Sequence, residues 1–384
     1  MKYFDFAATS PISKTVADAF IDASISCYGN AESLHDEGSK AKKILEYSRS
    51  AIADLLSVDS RSVIFTSGGT ESNMLAISTL LHNAGKRKKH VIVSGIEHPS
   101  VDYLLHKLHD EHEIELEYLP HRADAGFCEE ALAGMIRPDT ALVVLQHANS
   151  ETGALQNIGK AAEIIKHTTA CLHVDCVQSF GKMDISPIAA VADSLAISSH
   201  KIRGPKGIGA CIFPNIRYLA PLFHSVTHEF GFRSGTANVP GVYAFAVAAK
   251  EMMKEWKAEW ERISSLRRDI ILSLERNGIQ FETAAGKEGM QLPHIMALLL
   301  SNIQGQYVMM ELNRRGYSIS TGSACQAGMQ APSRTMIAIG KTPDEAKSYI
   351  RISLGNEHSS ADCENLVQVL SEIIKPVQDK GVAI

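Results

Sequence analysis

Between Val63 and Phe213 short apolar runs alternate with amphipathic ones, and this alternation restricts the fold more than any other feature of the chain. The β-rich runs cover 63–65, 90–93, 114–119, 141–145, 172–174, 195–197 and 209–213. Helical stretches lie between them at 70–81, 99–110, 129–136 and 158–167, after an earlier one over 39–56. Strands that are apolar throughout are buried on both faces, and intervening helices supply the crossovers that parallel pairing needs. The pattern predicts an α/β fold: a mainly parallel, seven-stranded sheet with helices on both faces.

After Pro240 the texture changes. Residues 241–277 read as one or two long helices, with Trp256 and Trp260 on one packing face. Strand candidates at 295–300, 317–319 and 349–351, and helix candidates at 343–347 and 361–374, describe a smaller α+β domain. The extended first residues are expected to cross over to it. The chain then divides into a large domain over 12–255 and a small one built from 1–11 and 256–384. With 384 residues, 45% of them hydrophobic, there is enough apolar surface for more than one core.

A net charge of −5 and a sequence pI near 6.3 argue against nucleic acid as a direct partner. No apolar run approaches the ~20 residues that span a bilayer. The start, Met1-Lys-Tyr-Phe-Asp-Phe6, has no signal-peptide pattern, so a soluble, cytoplasmic protein is expected. The seven cysteines, irregularly spaced, are expected to be reduced thiols. Cys171, His173 and Asp175 would share one face of a strand, but no paired Cys-x-x-Cys accompanies them and no metal site is expected.

In parallel sheets ligands bind beyond the carboxyl ends of the strands. Lys201 lies just past the run at 195–197, behind two serines and His200 and ahead of Gly204-Pro-Lys-Gly207. A lysine at the mouth of a buried strand either reaches water or gives up its charge, for instance as a Schiff base with an aldehyde cofactor. Ser67-Gly-Gly-Thr70 joins a strand to a helix, and its backbone N–H groups, those of Gly69 and Thr70 included, can cradle a phosphate. Asp175, with Gln178 close behind, is either a helix cap or the partner of a protonated heterocyclic nitrogen. His98, in Gly95-Ile-Glu-His-Pro99, is either a polar turn residue or a ring that stacks on a cofactor and moves a proton. As a set these residues match what pyridoxal phosphate requires. Far downstream, Ser320-Thr-Gly-Ser-Ala-Cys-Gln-Ala-Gly328 places Cys325 among small and polar residues, where a thiol is exposed and ionisable rather than packed.

The chain closely resembles the cysteine desulfurases, within the class V aminotransferase group of fold-type I pyridoxal-phosphate enzymes. The resemblance is carried by Asp5-Phe-Ala-Ala-Thr9, Tyr28-Gly-Asn-Ala-Glu-Ser-Leu-His35, Thr66-Ser-Gly-Gly-Thr-Glu-Ser-Asn73 and Glu97-His98. It continues through His173-Val-Asp-Cys-Val-Gln178, Ser198-Ser-His-Lys-Ile-Arg-Gly-Pro-Lys-Gly207, Arg233-Ser-Gly-Thr236, Gly322-Ser-Ala-Cys325 and Arg351-Ile-Ser-Leu-Gly355. It implies that Lys201 anchors the cofactor, His98 stacks on its ring and moves protons, Asp175 pairs with the ring nitrogen, and Gln178 meets the phenolic oxygen. Thr70, Ser198 and His200 would hold the phosphate, joined by Thr236 of the partner subunit in a homodimer. Arg351 would grip the substrate carboxylate, with Asn30 nearby. The implied activity converts L-cysteine to L-alanine and carries the sulfur as a persulfide on Cys325. An acceptor protein would take it onward, for iron–sulfur cluster assembly, a thio-cofactor or tRNA thiolation.

Two departures stand out. Relatives read Asn-Asn-Glu where this chain reads Asn149-Ser150-Glu151, so a ring contact expected at Ser150 passes to Asn149 or is lost. A glycine-rich stretch before Arg233 is replaced by Ser225, Val226 and Thr227 within His224–Glu229. No counterpart is expected of the C-terminal extension with which longer relatives dock an iron–sulfur scaffold. The alternatives are a selenocysteine lyase or another class V aminotransferase, or a degenerate relative that only binds partners in sulfur trafficking.

Overall fold

The computed structural model describes residues 1–85, 88–223, 227–284, 289–322 and 332–380. Cys325 lies outside the described residues, as do His224, Ser225 and Val226.

Strand β1 (Lys2–Tyr3) opens the chain, and β2 (Val63–Thr66), β3 (His90–Ser94), β4 (Glu115–Leu119), β5 (Thr140–Gln146), β6 (Cys171–Asp175), β7 (Ser194–Ser198) and β8 (Gly209–Ile212) follow. The last seven form one sheet in the order β2-β8-β7-β6-β5-β3-β4. All of it is parallel except β8, which runs antiparallel to both β2 and β7. Strands β2, β3, β5, β7 and β8 are buried at every residue, which is why their middles are apolar, with polar residues only at their ends. Strand β4 is the exception. It lies at the edge, and Glu115 and Glu117 guard the unpaired side against a further strand.

Because β2 and β7 both oppose β8, the six parallel strands end along one rim. The turns at Gly68, His98, Asn149, Gln178 and Lys201 therefore emerge on the same side of the sheet.

A second core has its own sheet, β9 (Phe281–Thr283), β10 (Ile295–Leu300) and β12 (Tyr349–Ser353), antiparallel in the order β12-β10-β9. Strand β11 (Tyr317–Ser318) pairs in parallel with β1, so the first residues do cross to this part of the chain. The 241–277 stretch is one helix, Val239–Arg276, and it serves both cores. Val242, Phe245 and Ala249 face the large core, while Ile263, Leu266, Ile270 and Leu274 face the second. The expected boundary at 255–256 falls inside this helix.

Some elements were not foreseen. The helix Lys14–Ser26 is capped by Ser13 and buries only Val16 and Ala23, so its apolar stripe is too sparse to read from sequence. The helix Gly305–Arg314 opens on a glycine because its N-terminus presses against β12, where a Cβ on Gly305 would lie 2.1 Å from the Tyr349 carbonyl oxygen. Strand β9, with 3 residues, is too short to show a period.

Candidate active site

Along the rim the structure forms a cavity of about 260 Å³. Gly69, Thr70, His98, Ser150, Asp175, Gln178, Ser198, His200, Lys201 and Arg351 all line it, although they come from positions scattered over most of the chain.

The first wall is the turn after β2. Gly68 sits at φ +151°, a conformation that side-chain-bearing residues rarely adopt, and a Cβ on Gly69 would lie 2.7 Å from Val177 Cγ2. Two glycines are thus needed for the helix Gly69–Ala84 to begin against the next turn. That helix has no side-chain cap, so its first N–H groups stay open to the cavity. Opposite them, Ser198 Oγ is buried without a hydrogen-bond partner among the described residues. An uncapped helix start facing an orphaned hydroxyl is the donor set a phosphate needs. His200 adjoins them, with Nδ1 3.0 Å from Thr9 Oγ1, and burial draws its pKa down to about 4.

The second wall holds Asp175, at the end of β6. Its Oδ1 accepts from Val177 N at 2.9 Å and its Oδ2 from Asn73 Nδ2 at 2.8 Å. Asn73 Oδ1 in turn accepts from His173 Nε2 at 3.0 Å, which leaves His173 Nδ1 to accept from Ser194 Oγ at 2.8 Å. Both ring nitrogens of His173 are therefore engaged inside the sheet. Burial lowers its pKa to about 3, so it stays neutral and keeps this directional chain intact.

His98 caps the helix Pro99–Asp110. Its Nδ1 accepts from Ser100 N at 3.1 Å and lies 2.8 Å from Ser100 Oγ. A ring nitrogen that accepts from a backbone N–H carries no proton, so the neutral imidazole holds its hydrogen on Nε2. Burial, followed by the Lys201 charge, lowers the His98 pKa against the opposing pull of Asp175.

Lys201 Nζ donates to the carbonyls of Ala7 and Ala8 at 2.6 and 2.8 Å, which ties the start of the chain to the cavity floor. Gln178 Nε2 also donates to Ala7 O, at 2.8 Å, while its Oε1 accepts from Lys182 at 3.2 Å. Arg351, on β12, donates to Ser150 O at 2.9 Å and to Asp5 Oδ1 at 2.7 Å, and its buried Nε has no partner among the described residues.

Three expected residues do not line the cavity. Asn149 stands behind Ser150, with Oδ1 accepting from Glu151 N and Thr152 N and Nδ2 donating to Ile96 O. The amide oxygen is committed to this turn and the amide nitrogen to Ile96 O, and it is Ser150 that faces the cavity. Asn30 lines a separate hollow of about 210 Å³ with Arg49 and Glu229. Thr236 lines one of about 80 Å³ with Ser67 and Arg233. Cys325 lies outside the described residues, but both flanks of its segment are tied to the cavity mouth. Ser320 exchanges backbone bonds with Arg351 at 2.7 and 3.1 Å, and Ser333 and Thr335 donate to the Glu151 carboxylate at 2.5 and 3.1 Å.

Sequence reasoning passed over Asn73, Glu151 and Lys182. Asn73 had a signal: it lies one helical turn beyond Thr70 and so shares its face. The other two are visible only through contacts in space.

The family model for class-V aminotransferases matches residues 2–366. A Bacillus subtilis (strain 168) relative, provisionally named cysteine desulfurase NifS, is 41% identical over 383 residues, which is 99% of this chain and 96% of that one. A solved NifS-like protein superposes with a TM-score of 0.89 at 28% identity, over 97% of this chain and 99% of the other. Another, described as SspA in complex with cysteine, superposes at 0.79 with 31% identity, over 92% and 99%. The chain belongs to the class-V aminotransferase family, among its cysteine desulfurases.

Proposed function

We propose that the protein is a pyridoxal-phosphate-dependent cysteine desulfurase that converts L-cysteine to L-alanine and receives the sulfur as a persulfide on Cys325. The observation that carries this reading is spatial. The cavity holding Asp175, Lys201 and Arg351 is the place to which both flanks of the Cys325 segment are tied, through Arg351 itself and through Glu151.

The residues present suit the cofactor. Gly69, Thr70, Ser198 and His200 would hold its phosphate, Lys201 its aldehyde carbon, and Asp175 its ring nitrogen, with His98 and Gln178 at the ring. Once bound, the cofactor supplies an electron sink that loosens bonds at the substrate's α-carbon and, beyond it, the C–S bond. The chain does the rest. Asp175, held by two donors, keeps its carboxylate aimed into the cavity. Lys201 Nζ is the amine that can carry a proton. His98, fixed by its cap, offers a hydrogen on Nε2. Arg351 Nε is a buried donor available to the substrate carboxylate, and Asp5 fixes the guanidinium plane. Cys325 would attack the substrate sulfur as a thiolate.

A homodimer suits the residues that stand apart. Tyr28 and Leu34, which flank Asn30, are 69% and 100% exposed, as apolar side chains are when a second copy covers them. A second copy would also bring its own Thr236 and Asn30. An acceptor protein takes the sulfur onward, and the site is cytoplasmic. No helix among the described residues is long and apolar enough to cross a membrane.

The test is product balance. Cysteine with a reductant should yield alanine and sulfide in equal amounts. Release of alanine with pyruvate, or of no sulfide, would overturn the reading.

A further inference from the structure

Lys182 has no role in the assignments above, yet it is only 7% exposed and lies four residues beyond Gln178. Its Nζ donates to Gln178 Oε1 at 3.2 Å. Gln178 Nε2 then donates to Ala7 O at 2.8 Å, the carbonyl that also accepts from Lys201 Nζ at 2.6 Å. A line of hydrogen bonds thus joins the two lysines through one amide and one carbonyl. With a lysine donating to Oε1, the Gln178 amide cannot turn over, and its own donors must face Ala7.

The surroundings of Lys182 are short of negative charge. The charged groups acting on it, Lys201 and Arg351, are both cationic, and Arg351 is already answered by Asp5. On its other side Lys182 shares a narrow cavity of about 20 Å³ with His294 and Arg203, room for a single water. Both ring nitrogens of His294 and the Nε of Arg203 are buried without partners among the described residues. His294 and His200, which also face Lys182, are held neutral by burial, at about 3 and about 4. Burial, followed by Lys201 and Arg351, draws the Lys182 pKa down to about 7.

We propose that Lys182 is a positioning residue of the active site, which orients the Gln178 amide and, through the shared Ala7 carbonyl and through space, sets the proton affinity of the nitrogen at Lys201. The inference rests on Lys201 being the cofactor anchor. When Lys182 is charged it disfavours a proton at Lys201, and when it is neutral that opposition ends.

The test is an absorbance titration of the protein loaded with pyridoxal phosphate, comparing the parent with Lys182→Met and Lys182→Arg. Methionine removes the charge at similar volume, and arginine makes it permanent. The pH midpoint of the visible band should lie highest in Lys182→Met and lowest in Lys182→Arg, with the parent between and the extremes at least about half a pH unit apart. If the arginine variant does not fold, Lys182→Met alone must titrate above the parent. Coincident midpoints in folded, loaded proteins overturn the inference. A parent that acquires no visible band overturns the site reading itself, and this inference with it.

Discussion

Asn73 connects two parts of the site that sequence alone keeps separate. Its Nδ2 reaches Asp175 at 2.8 Å and Ser100 Oγ at 3.3 Å, and Ser100 contacts His98. One side chain therefore steadies both the carboxylate and, through Ser100, the imidazole. Hydrogen bonds to a charged group contribute about 1.5–3 kcal/mol. Asn73→Ala is expected to weaken pyridoxal-phosphate binding by about 10–100-fold, measured by equilibrium dialysis; unchanged affinity would show that Asp175 holds its place unaided. Lys182 yields a stability prediction with a definite sign. Its folded-state pKa, about 7, is below the ordinary 10.5, so between those values the folded chain binds fewer protons than the unfolded one. Stability owed to this group therefore rises with pH across that window, by at most about 1.4 kcal/mol per unit. Lys182→Met should be more stable than the parent near pH 7, with a margin that shrinks by roughly 2 kcal/mol by about pH 9 in urea unfolding. A margin independent of pH would mean that Lys182 keeps its ordinary pKa.

At the scale of elements, the turn between β2 and its helix and the two flanks of the Cys325 segment decide what the site can do. Gly69→Ala places a methyl 2.7 Å from Val177 Cγ2, and overpacking of this kind costs about 1–3 kcal/mol. Thermal unfolding should register that loss, together with weaker phosphate retention. Glu151→Ala frees Ser333 and Thr335 while leaving the cofactor wall untouched. The loaded variant should keep its visible band but pass sulfur to Cys325 more than about tenfold more slowly, given that two charge-assisted bonds are lost. Equal transfer rates would show that the Glu151 anchor has no bearing on delivery. Much at this scale was legible. Largely apolar runs announced β2, β3, β5, β6, β7 and β8, and the residues at or just past the ends of β3, β6 and β7 supplied His98, Asp175 and Lys201. What was not legible depends on contacts distant in sequence. Asn73 acquires its role from Asp175, 102 positions away, and Glu151 from Ser333, 182 away. The helix Lys14–Ser26 was hidden for the opposite reason: it buries too little to leave a pattern.

At the scale of the whole molecule, the cavity lies where two cores meet. The sheet rim provides Asp175, Ser198 and Lys201, the antiparallel sheet provides Arg351, and the chain's first residues close the floor through the carbonyls of Ala7 and Ala8. Asn30 and Thr236 stand outside the cavity of their own chain, so a single copy leaves the proposed site incomplete. The protein should sediment as a dimer, and Thr236→Ala should lower cofactor retention without loss of fold; a monomer with full activity would contradict the composite site. The central claim is that Lys201 opens the chemistry and Cys325 carries away its product. The most direct measurement loads the protein with pyridoxal phosphate, supplies one equivalent of cysteine without reductant, and maps the peptides by mass spectrometry. The account predicts one added sulfur on the peptide containing Cys325, absent from both Cys325→Ala and Lys201→Ala. Added sulfur on another cysteine, or alanine formed with Cys325 unmodified, would contradict it.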